Sequence, residues 1–142
     1  MNVKQALKVK NKLVNDLKTQ FEILKKYNSI EEGNPRRYSM TSTLAVIDTL
    51  QFELVGLKAR IHKANQPVYD KIFELAELKG LVKELKKVPT EEGKVAERYG
   101  SVVSVKEVEL NVVDIQNKVE ALGERIEELQ NELDIHNSNT QI

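Results

Sequence analysis

Apolar residues recur three and four positions apart along most of this chain, with Lys, Glu, Asn and Gln between them. In the first thirty residues Leu7, Val14 and Phe21 fall seven apart, Leu17 and Leu24 complete an a/d pattern, and Leu13 and Tyr27 widen the stripe. That spacing predicts a helix from Val3 to Glu31, roughly 40 Å long at the helical rise per residue. Gly33, Asn34 and Pro35 are expected to end it, with Gly at the C′ position. After the polar loop "GNPRRYSMTS", Thr41 or Ser42 is the expected cap of a second helix. Its seam is Ile47, Leu50, Leu54, Leu57, Ile61 and Ala64, in alternating steps of three and four. Pro67 disfavours helical backbone at Gln66, so this helix should stop near Asn65 and turn into an antiparallel hairpin.

A third helix is expected from Val68 to Lys87, with Ile72, Leu75, Leu78, Val82 and Leu85 inward and Gly80 marking a close helix crossing. Pro89 ends it, and "PTEEGKVAERYG" reads as a loop or frayed turn. The last helix carries Val112, Ile115, Val119, Leu122, Ile126, Leu129, Leu133 and His136 on one seam. The segment "YGSVVSVKEVELN" before it departs from the pattern, with aliphatic residues crowded together and Val dominant among them. Two readings are open. Ser104 and Glu107 have capping-box spacing, which would start the helix at Ser104. Alternatively Asn111 is the N-cap with Asp114 at N3, and 102–110 is extended or part of a β-hairpin, where Val is favoured. The fold class is therefore mainly α, an elongated three- to four-helix bundle with coiled-coil-like seams and, on the second reading, an extended piece near 102–110. The domain expectation is one helical domain over 1–137 and a loose polar tail over 138–142.

Three short segments resemble the septicolysin-like family of small bacterial helical proteins. They are "IHKAN" closing the second helix, "RYG…VELNVVDIQ" before and into the last helix, and "LQNELDIHN" near the end. Asn65 and Asn137 stand at the family's asparagines, and Asn111 at the place of its aspartate. The family layout places a polar, strand-like piece ahead of the last helix, which favours the extended reading of 102–110. The family name implies a pore-forming, membrane-active protein. Leu57, Ile61 and Asn65 also repeat the spacing of Leu129, Leu133 and Asn137, which either marks an internal duplication or is what any two heptad helices ending in Asn would share.

Composition narrows the chemistry. There is no Cys, so no disulfide framework or thiolate metal site is expected, which suits a reducing cytoplasm. The start is interrupted by Lys4, Lys8, Lys10 and Lys12 and has no signal-peptide run, and no segment is apolar enough to span a membrane. Net charge is zero, yet residues 1–30 hold seven Lys against two acids, and residues 101–142 hold three basic residues against nine acids. A basic first segment and an acidic last one could lie side by side, within a chain or between chains, or form two solvated faces. The neutral total and few aromatics argue against a dedicated nucleic-acid binder.

His62 and His136 sit near helix ends, where the dipole favours them without any function, and neither has metal-ligand spacing. The adjacent carboxylates of Glu31/Glu32, Glu91/Glu92 and Glu127/Glu128 diverge on a helix. No phosphate-loop or nucleophile motif is present, so no enzyme, metal or cofactor is expected. Arg36, Arg37 and Tyr38 are the best ligand-like group, able to hold a phosphate or stack on a base, although paired Arg after Pro also suits a solvated turn. Off the seam lie Val46, Phe52 and Val55 in the second helix and Val113 in the last. They read as a broad core stripe or as a subunit interface, and we take the second. The expected protein is then a self-associating helical scaffold or partner-binding protein. Val102, Val103, Val105, Val108 and Leu110 are its candidate contact piece, and membrane activity is the alternative.

Overall fold

The computed structural model describes residues 1–96 and 103–142. The described chain is mainly α, with helices α1 (Val3–Tyr27), α2 (Met40–Asn65), α3 (Tyr69–Leu85) and α4 (Val112–Asn139). One two-stranded antiparallel sheet joins β1 (Gly93–Ala96) to β2 (Val103–Lys106). A 3-10 turn, Gln66–Val68, links α2 to α3 without a gap, where Pro67 had suggested a loop. The chain forms two compact units. The first is Met1–Val68 with Asp134–Ile142, the second Tyr69–Leu133.

In the first unit α1 and α2 pack as an antiparallel hairpin around Ala6, Leu13, Leu57 and Ile61, with Leu7, Leu50, Leu54 and Ile142 half-buried against them. The second-helix seam is thus read correctly, and that of α1 in part: Leu7, Leu17 and Leu24 of it are buried or half-buried. Leu13 and Leu17 are buried, whereas Val14 and Phe21 lie exposed beside the seam. The start of α1 is fixed by a capping box: the Gln5 amide donates to Asn2 Oδ1 (2.8 Å), and the Asn2 amide donates to Gln5 Oε1 (2.9 Å). Its end comes at Tyr27, four residues before the expected Glu31, and Asn28 is the C-cap. Gly33 instead sits at φ 88 within the connecting turn, where the Asn34 amide donates to the Glu31 carbonyl. The cap of α2 is Ser39, not Thr41 or Ser42; its hydroxyl accepts from the Ser42 amide.

Residues 138–142 are not a loose tail. α4 continues to Asn139, the Val3 amide donates to the Thr140 carbonyl (2.9 Å), and the Ile142 amide donates to the Met1 carbonyl (3.1 Å). Asn2 and Gln141 form an antiparallel bridge. Polarity suggested disorder here, but unpaired backbone groups on both segments satisfy one another.

In the second unit α3 and residues 112–133 run antiparallel, bridged by Lys71–Glu132 (3.0 Å) and Arg125–Glu74 (2.9 Å). The extended reading of the Val-rich piece holds for 103–106, which pairs with 93–96 in the register Gly93↔Lys106 to Ala96↔Val103. The partner strand had read as a loop or frayed turn. Start of α4 at Ser104 is excluded, because Asn111 caps it reciprocally with Asp114: the Asp114 amide donates to Asn111 Oδ1 (2.9 Å), the Asn111 amide to Asp114 Oδ2 (3.0 Å). Val102 and the "RYG" motif lie outside the described residues.

Candidate interaction surfaces

The Arg36–Arg37–Tyr38 group is built into the turn after α1. Arg36 Nη1 donates to the Tyr27 carbonyl (2.7 Å) and Nη2 to that of Asn28 (2.9 Å). These are carbonyls of the last helical turn, which the helix itself leaves without partners. The Arg37 guanidinium near the Tyr27 hydroxyl, with help from Lys26, holds the Tyr27 pKa below the ordinary 10.0. The Tyr38 ring lies against that of Tyr27, centroids 5.0 Å apart. An open hollow of about 500 Å³ is lined by the three residues together with Asn28 and Ser39. Of the three, Arg36 thus spends its guanidinium on internal bonds. The signal that could have shown this was its distance from the helix end: a guanidinium a few residues past it can reach back to the terminal carbonyls.

The family-matching asparagines fall in two places. Asn65 is at the end of α2, and its Oδ1 lies 3.2 Å from His136 Nε2. His136 Nδ1 in turn lies 3.1 Å from the Thr140 hydroxyl. With Nε2 protonated, the neutral ring donates to Asn65 and accepts from Thr140, so both ring nitrogens are satisfied. Asn137 is the neighbour of this cluster in sequence, and Asn111 is a helix cap in the other unit. His62 Nε2, one turn before Gln66, lies 3.1 Å from the side-chain Nε2 of Gln66. Among the described residues no three His, Asp or Glu side chains converge to hold a metal ion.

Arg125 forms a two-pronged pair with Glu74, Nε to Oε1 at 2.9 Å and Nη2 to Oε2 at 3.0 Å, and also reaches Glu128 at 3.2 Å. The hydrogen bonds from Arg125 hold the Glu74 carboxyl below its ordinary pKa, and the carboxylates raise that of Arg125.

The remaining features are apolar and open. Of the candidate contact piece, Val105 is 71% exposed, Leu110 is exposed and Val108 half-buried. On α2, Phe52 is 83% exposed, and Val46 and Val55 are exposed with it. They therefore do not belong to a broad core stripe within the chain. A groove of about 520 Å³ between α1 and α2 has Val14, Phe21 and Leu54 along it, with Lys18, Lys25 and Lys58 at its edges. In the second unit a cavity of about 320 Å³ is lined by Leu85, Val88, Val112, Ile115 and Val119. Gly80 does not mark a close crossing, since nothing lies within 4 Å of where its Cβ would be. Among the described residues no helix is long and apolar enough to cross a membrane. No family model, curated protein or solved structure matches the chain.

Proposed function

We propose that this chain is a non-enzymatic helical scaffold or partner-binding protein that self-associates through its helix faces. The observation that carries the reading is the placement of its large apolar side chains. Phe52 on α2 and Phe73 on α3, the latter 63% exposed, point away from the cores of their units, with Val55 and Leu44 beside Phe52's face and Val14 and Phe21 on α1. Single exposed apolar residues are ordinary, but rows of them on amphipathic helices are the usual mark of an interface. A two-helix layer such as α1–α2 can bury one stripe per helix, and these side chains belong to other stripes. The polar groups that might have served chemistry are instead bound internally: Arg36 at a helix end, His136 to Asn65 and Thr140. In the second unit Val105 and Leu110 are exposed as well.

Light scattering across micromolar to hundred-micromolar concentration tests this. A mass that rises above 16.2 kDa with concentration is expected. A fixed mass of one chain throughout would overturn the reading.

A further inference from the structure

Two exposed phenylalanines on different helices have the same surroundings with the charges reversed. Phe21 on α1 has Lys18 three residues before it and Lys25 four after, in "KTQFEILK"; Phe73 on α3 has Asp70 three before and Glu77 four after, in "DKIFELAE". On a helix, positions i−3 and i+4 flank residue i on the same face. All six side chains are exposed. The two charges of each set lie seven residues apart, about 10.5 Å along the axis, so the sets match in register whichever way the helices run. Lys18 and Lys25 edge the groove that holds Val14, Phe21 and Leu54, with Lys58 across from them and Glu22 the one carboxylate in its lining. On α3, Phe73 is stacked on Tyr69 with centroids 5.6 Å apart, and Ala76 and Gly80 continue the row, leaving space for a second backbone to come close.

The units that carry these faces are oppositely charged as wholes. Residues 1–68 and 134–142 hold twelve Lys and Arg against seven Asp and Glu, a net of +5, and residues 69–133 hold ten against fifteen, a net of −5. Opposite net charges speed encounter and penalise the wrong pairing, in which like unit meets like.

We infer that the partner of the Phe21 groove is a second copy of this chain, which presents the Phe73 face of its α3. In this contact Phe73 enters the groove beside Phe21 and Leu54 while Asp70 and Glu77 meet Lys18 and Lys25. The apolar side chains supply the affinity, and the charges set which face meets which. The inference rests on the self-association reading and adds to it the identity and the polarity of the two faces.

The test exchanges charges. Two variants are made, Lys18→Glu with Lys25→Glu, and Asp70→Lys with Glu77→Lys, each checked for native helicity by circular dichroism. If the second variant loses helicity through the new lysine in the first turn of α3, Glu77→Lys alone takes its place. Sedimentation at low ionic strength should show each variant alone associating about tenfold more weakly than the parent chain, or less. An equimolar mixture should recover the parent's assembly, because one variant's acidic groove now receives the other's basic α3 and the unaltered faces still fit. Raising salt to 0.5 M should weaken the parent's assembly. If the parent associates but either variant associates equally well, or the mixture fails to recover, the inference is overturned while self-association stands. If the parent itself stays at one chain, both fall together.

Discussion

The guanidinium of Arg36 closes the end of α1 by donating to the carbonyl of Tyr27 at 2.7 Å, nine residues back along the chain, and to that of Asn28 at 2.9 Å. The terminal carbonyls of a helix carry partial negative charge, so a planar cation with two parallel donors is suited to them. Replacing Arg36 with Ala is expected to destabilise the first unit by about 1 kcal/mol, a loss of roughly 3 °C in melting temperature for a chain of this size. Arg36→Lys should recover only part, since one ammonium cannot reach both carbonyls with the same geometry. Thermal melts followed by circular dichroism read the difference. A melting temperature unchanged by Arg36→Ala would show that the cap is idle.

Asn2 holds the two ends of the chain together in a second way. Its Oδ1 caps α1, and its Nδ2 donates to the Ser138 carbonyl at 3.1 Å in the last turn of α4. One side chain thus serves a helix start and a helix end. Asn2→Asp would keep the first bond and lose the second, placing a carboxylate against a carbonyl. Asn2→Ala loses both and is expected to cost about 1 to 2 kcal/mol, with Asn2→Asp between it and the parent. Removing residues 140–142 should also lower the melting temperature, through loss of the Val3–Thr140 and Ile142–Met1 backbone bonds. Neutral truncation would return these residues to the status of a loose tail.

Stability of the second unit should fall in acid through Glu74. Its folded pKa lies below the ordinary 4.5 because Arg125 hydrogen-bonds the charged form. A depressed folded value means the contribution is present above the unfolded pKa and is lost as pH falls through the folded one. Glu74→Gln removes that contribution. The difference in melting temperature between the parent and Glu74→Gln is therefore expected to be positive at pH 7 and to shrink toward zero below about pH 4. A difference independent of pH from 7 to 3 would mean that Arg125 does not favour the ionised carboxylate.

The helices were legible because burial imposes its period on the residues that form it. Ile47, Leu57 and Ile61 are buried where spacing put them, and none of Leu54, Leu57, Ile126 and Leu129 is exposed. On α1 the same rule placed Leu17 inward but chose Val14 and Phe21 where Leu13 is buried, because these side chains are equally apolar and a heptad count cannot tell two adjacent rows apart. The form of the link after α2 was not legible, since Pro67 fits a 3-10 turn as well as a loop. Nor was the strand partner at 93–96: of Gly, Lys, Val and Ala only Val favours a strand, and pairing with 103–106 decides it. The cluster of Arg36, Arg37 and Tyr38 was legible, but the bonds of Arg36 to the Tyr27 and Asn28 carbonyls were not read, because no fixed motif spacing marks a guanidinium that reaches back to a helix end. Polar residues 138–142 looked free for a similar reason; their bonds are to backbone at the opposite end of the sequence.

The Asn111–Asp114 box fixes where extended chain becomes α4, and with it the length left for the hairpin. Four-residue strands are marginal on their own in water. If the helix extended backward from 112 toward the rival start at Ser104, β2 would lose its residues to it. Asn111→Ala is expected to remove the cap at a cost of about 1 kcal/mol, and Asn111→Asp to keep most of it, since aspartate caps as well as asparagine. Backbone hydrogen exchange separates this from general destabilisation: with Asn111→Ala, amides of the first turn of α4 and of 103–106 should exchange faster, while those of α1 and α2 keep the parent's rates. Uniform acceleration over both units would instead mean that the box contributes only to overall stability and does not set the boundary between strand and helix.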